Sequence, residues 1–145
     1  MNENEEFKEN SQAVQAHLSI TQSVIQRMAS NSNSCKGWAI TIVSAILVLV
    51  ADKAKPQYAY IALIPTFLFF FLDAYYLALE KLLRNSYNAF IEKLHKGKLR
   101  ADDLYAVKPT GNGFLTFACS LLSLSIWPFY GTLLAMTWIA KKYLL

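Results

Sequence analysis

Asp73, Tyr76, Glu80, Arg84 and Tyr87 recur at spacings of three and four, which sets two carboxylates, a guanidinium and two phenols along one side of a helix. Ion pairing, hydrogen bonding and proton exchange are the chemistry open to such a stripe. Asp73 closes the Phe-rich run FLFFFLD (67–73), and a carboxylate beside so apolar a segment is costly unless it faces protein, water or a cation. Glu80 precedes Arg84 by four residues, the favourable order for a helical ion pair. Three roles fit: packing between helices or subunits, the lining or trigger of an aqueous conduit, or simple snorkelling at a boundary.

Arg27 and Asn31–Lys36 form a second polar cluster just before an apolar run, and Trp38 follows it at a position suited to a membrane interface. Interfacial anchoring and a latch onto the Glu80–Arg84 segment are the two readings of Arg27, Lys36 and Trp38. His17 and His95 are isolated, and neither belongs to a metal-ligand spacing or a nucleophile arrangement. Asp102-Asp103 reads as a solvated turn rather than a metal pair. No Gly-rich phosphate loop occurs, so neither a catalytic residue nor a metal or cofactor site is assigned.

The elements that must position these residues are apolar helices. Gly37–Val50, Tyr58–Leu72 and Phe114–Ala140 contain no charged residue, and a spanning helix needs about 20 predominantly apolar residues. The chain of 145 residues is 54% hydrophobic and 17% charged, with nine Phe, eight Tyr and three Trp, which leaves little polar surface for a water-soluble fold. These features predict an all-α membrane protein: an N-terminal amphipathic helix, a transmembrane helical hairpin with a cytoplasmic stem, and a third kinked transmembrane helix. Cys35 and Cys119 lie far apart and read as free thiols. The acidic start MNENEEFKEN lacks the basic entry of a secretory leader, so no cleavable leader is expected.

Four segments follow. Residues 1–35 read as a cytoplasmic helical segment, with Val14, Leu18, Ile25 and Met28 as its apolar stripe and Ser30–Ser34 as a turn. Residues 36–79 read as the two-helix hairpin, its first span recruiting Lys36 and Lys53 or extending toward Lys55, and its second bent at Pro65. Residues 80–112 form a stem and loop, with Gly97 ending the stem. Residues 113–145 form a third hydrophobic helix kinked at Pro128 and Gly131, or a re-entrant hairpin.

Lys81, Arg84, Lys93, Lys96, Lys98, Arg100 and Lys108 crowd the long polar segment, whereas the first connection carries only Lys53 and Lys55. The positive-inside rule puts that segment, and with it the N-terminus, in the cytoplasm. The formal charge of +4 and the isoelectric point near 9.1 then reflect topology, and no nucleic-acid partner is expected.

The pair RMASNSNSCKGWAITIVSA (Arg27–Ala45) and FFFLDAYYLALEKLLRNSYNAF (Phe69–Phe90) resembles small bacterial membrane proteins of the SLATT-like type. The resemblance covers about Gln12–Lys96 and is carried by Arg27, Lys36, Trp38, Asp73, Tyr76, Glu80, Arg84 and Tyr87. It implies a multi-pass protein of the bacterial inner membrane, an effector in antiviral defence that oligomerises and permeabilises or depolarises the lipid bilayer. Its partners would be other copies of itself, as a homo-oligomer, and an operon-encoded nucleotide-producing or nucleotide-sensing protein. The alternative is a non-enzymatic structural or regulatory membrane subunit that docks a cytoplasmic partner.

Overall fold

The computed structural model describes residues 8–53 and 56–143. The start of the acidic N-terminus and the expected extension toward Lys55 fall outside these residues. The described chain is all helical: α1 (Gln12–Asp52), a 3-10 helix (Pro56–Ala62), α2 (Leu63–His95), a 3-10 turn (Ala101–Asp103), α3 (Gly113–Leu121) and α4 (Trp127–Tyr143). Helices α1 and α2 are each long and apolar enough to cross a membrane, the 3-10 helix counting with α2.

Ser11 caps α1 by accepting the Val14 N–H at 3.3 Å, and the helix then runs unbroken for 41 residues. The expected turn at Ser30–Ser34 is corrected: these residues are helical, and α1 runs through them without a break. Their hydroxyls find partners that leave the helix intact, Ser34 donating to the Ser30 carbonyl at 3.0 Å and Ser32 to α2. Burial along α1 falls on Val14, His17, Thr21, Ile25, Ser32, Cys35, Ala39, Val43 and Val50. Their three-and-four spacing is a seam along nearly the whole helix. Leu18 and Met28, expected on the stripe, are only half buried, and His17 and Thr21 take the seam instead.

Helix α2 lies antiparallel to α1 and continues past Asp73 into the stem. It stops at Gly97, whose φ of 61° suits the left-handed residue that ends a helix. Pro65, expected to bend this arm, is the third residue of α2, just after the 3-10 helix gives way to α-helix. The core joins Ala39 and Val43 of α1, Ala62 and Ala74 of the second arm, and Ile126, Tyr130 and Leu133. Alanines at the crossing let the backbones approach closely.

The single kinked helix expected over residues 114–140 is corrected to two helices separated at Leu122–Ile126. In a continuous helix the Pro128 ring would meet the Leu124 carbonyl, so the chain breaks upstream and Pro128 becomes the second residue of α4. At Gly131, inside α4, a Cβ would make only an ordinary 3.8 Å contact with Trp127. The contacts of this region follow one order down α2. Thr110 meets Leu82, Ser120 meets Lys81, Tyr130 meets Phe69, and Lys141 meets Tyr60. The region therefore runs along α2 in the opposite direction.

Ala74 is wholly buried where the three strands of helix meet. Ala74→Leu should overpack that crossing and cost about 1–3 kcal/mol, measurable as a lower midpoint of unfolding in detergent.

Candidate functional site

Ser32 and Lys36 stand one helical turn apart on α1 and present their polar groups to the same point on α2. There Asp73 is 0% exposed. Lys36 Nζ lies 2.6 Å from Asp73 Oδ2, the Ser32 hydroxyl donates to Oδ1, and Lys36 also donates to Ser32 Oγ at 3.3 Å. Oδ1 thus accepts a hydrogen bond, whereas Oδ2 faces the Lys36 ammonium as an ion pair without a hydrogen bond of its own. Nearby, the Tyr130 hydroxyl donates to the Phe69 carbonyl at 3.1 Å and its ring meets Phe70 edge-on, so α4 closes over the same level.

A charge out of water is tolerated when an opposite charge and hydrogen bonds replace its hydration. This clasp does so, and it fixes the register of α1 against α2. A slide by one turn would leave Asp73 facing apolar side chains.

The five-residue stripe divides by height. Asp73 belongs to the clasp, and Tyr76 is half buried. Glu80 and Arg84 pair within the helix at 2.8 Å, the guanidinium 61% exposed and the carboxylate side chain 15%, so water screens the pair from its Arg84 side. Tyr87 accepts a hydrogen bond from Gln22 Nε2 at 3.2 Å and ties the stem to α1. Of the cluster Arg27 and Asn31–Lys36, Ser32 and Lys36 join Asp73. Arg27 is exposed, and Trp38 faces outward.

A second polar contact appears where sequence reasoning saw only an isolated histidine. His17 is buried in the α1 seam, stacked on Phe90 at 4.1 Å, and its Nδ1 accepts the Tyr105 N–H at 2.9 Å. Tyr105 holds a φ of 62°, so the loop after the stem folds back across both helices. Lys93 reinforces it by binding Asp103 at 2.6 Å, and Asp103 also accepts the Arg100 N–H. Burial pushes the His17 imidazole below its ordinary value, against an opposing pull from Asp103. The hydrogen bond from Lys93 holds the Asp103 carboxyl low. Among the described residues, no three His, Cys, Asp or Glu side chains converge as a metal site.

Ser32 was missed because its neighbours read as a turn. Read as helix, Ser32 and Lys36 fall on the Ala39–Val43 face, which points them at the carboxylate of an antiparallel partner.

Removing either charge of the clasp strands the other. Asp73→Asn or Lys36→Met should each destabilise the fold by about 3 kcal/mol, the low end for a buried pair because the Lys36 side chain keeps 18% exposure. Denaturant titration in micelles reads the loss, and the double variant should recover part of it. The loop contact has its own pH dependence. A lowered histidine pKa means the undocked state binds the proton more readily, so docking is complete above the ordinary value of 6.5 and weakens as pH falls below it. Amide exchange at Tyr105, corrected for intrinsic rate, should therefore accelerate in acid, whereas His17→Phe should make it fast at every pH. No protein-family model, curated protein or solved structure matches this chain, so its functional reading rests on the clasp, the stem and the apolar helices.

Proposed function

We propose that this chain is a non-enzymatic, multi-pass protein of the bacterial inner membrane with a cytoplasmic N-terminus, a regulatory subunit whose stem docks a soluble partner. The supporting observation is the Ser32–Asp73–Lys36 clasp. It pairs Asp73 with a cation and a hydroxyl of the same chain, which suits a rigid joint between span and stem better than the lining of a water path. The basic residues of the stem and loop support the cytoplasmic placement of that segment.

A second reading is the oligomerising antiviral effector that permeabilises or depolarises the membrane. It draws on the SLATT-like resemblance and on the outward apolar faces of α1 and α2, where Trp38, Val48, Phe67, Leu68 and Phe71 are exposed and fit other copies as well as lipid. In this reading a nucleotide-linked partner acts on the stem, the clasp opens, and Asp73 turns toward a path shared by several protomers.

Membrane potential and dye uptake in expressing cells separate the two. For the regulatory subunit, wild type and Lys36→Met leave both unchanged even with the genomic neighbours present, and the stem co-purifies with one of their products. Depolarisation by the wild type with its neighbours, enhanced in Lys36→Met, establishes the effector instead.

A further inference from the structure

The three most exposed large apolar side chains in the described molecule fall within one short stretch of sequence: Leu124 at 88%, Phe114 at 84% and Leu122 at 73%. They belong to α3 and to the turn before α4, with Leu115 beside them. This surface stands well up the molecule. Thr110 N–H donates to the Leu82 carbonyl at 3.2 Å, and Lys81 Nζ reaches Ser120 Oγ at 3.2 Å, so α3 lies alongside the base of the stem. Ile126, just below, packs in the same cluster as Ala74.

The thickness of a bilayer says what covers it. A hydrocarbon layer about 30 Å thick takes about 20 helical residues. Counted along α1 from Asp52, that length ends near Ser32, the residue that binds Asp73. The layer thus extends past Lys36, and the headgroup region begins at the height of the turn. A second observation agrees. Non-helical backbone is tolerated in an apolar layer only when its polar groups are satisfied locally. In this turn Ser123 N–H donates to the Ser120 carbonyl, the Ile126 and Trp127 N–H groups both donate to the Ser123 carbonyl, and Ser125 N–H donates to Ser123 Oγ. Serines serve the broken segment as water would elsewhere.

We propose that the outer face of α3 and the Leu122–Ile126 turn form a lipid-contact surface in the cytoplasmic leaflet. Leu122 and Leu124 lie among acyl chains, and Phe114 and Leu115 lie at the headgroup boundary. The surface continues the outward face of α4, where Trp127, Trp138 and Ile139 are exposed. It sets the clasp in the last turn of the hydrocarbon layer, at its cytoplasmic edge. The inference rests on the membrane reading above.

Single-cysteine versions of the full chain, carrying an environment-sensitive fluorophore in phosphatidylethanolamine and phosphatidylglycerol vesicles, test it. The native Cys119, exposed on α3, supplies one site without any change to the helix once Cys35 is replaced by Ala. Leu124→Cys supplies the second in a background lacking both native thiols. Val48→Cys in the middle of α1 and Glu92→Cys on the stem are the lipid and water references. Positions 119 and 124 should be quenched by spin-labelled lipid and shielded from aqueous iodide, as Val48→Cys is. Iodide quenching of both, with Val48→Cys still shielded, overturns the lipid surface and leaves the membrane reading standing. Iodide quenching of Val48→Cys as well removes the membrane reading and this inference with it.

Discussion

A carboxylate deprived of water must be met by a cation and by hydrogen-bond donors, and the arrangement around Asp73 follows from that requirement. Lys36 supplies the cation and Ser32 the donor, and they reach one carboxylate together only if residues 32–36 form a helical turn. The pair thereby stabilises helix in a stretch of Ser and Asn that would otherwise compete for backbone hydrogen bonds. Register follows as well. With Asp73 held opposite Lys36, Tyr87 falls opposite Gln22, and Phe90 meets His17.

Elsewhere the helices approach through small side chains rather than large ones. Ala39, Ala62 and Ala74 are fully or almost fully buried, whereas Phe67, Leu68 and Phe71 point outward. A soluble fold inverts this pattern. In lipid, apolar side chains gain nothing by leaving the surface, so association relies on close packing and on polar contacts. The bulky residues point outward, as they would toward lipid, and the alanines, threonines and the clasp face one another.

Two chain breaks set the remaining geometry. Pro128 ends one helix and begins another because its ring excludes the carbonyl four residues back, and Ser120 and Ser123 take up the amides released. The loop after the stem is tied down at its middle by His17 and by the Lys93–Asp103 pair. It carries the chain from the end of the stem back to the start of α3, so that the last helices run down α2 instead of away from it.

The apolar runs, their lengths and the stem were legible in the sequence, because charge-free segments and a three-and-four apolar repeat depend only on residue type and order. Gly97 as the stem's end and Glu80 with Arg84 as a helical pair were legible for the same reason: each is a contact within one or two turns. What tertiary structure decided lay between elements. Ser30–Ser34 have weak helical preference, and a partner 41 residues away, Asp73, overrode it at Ser32. His17 looked isolated because its acceptor role is completed 88 residues later by a backbone N–H, which leaves no trace in residue type. The three prolines and glycines expected to bend helices were read without their position in a turn. Pro65 and Pro128 stand where a helix begins, and only the placement of neighbouring elements determined where those beginnings fell.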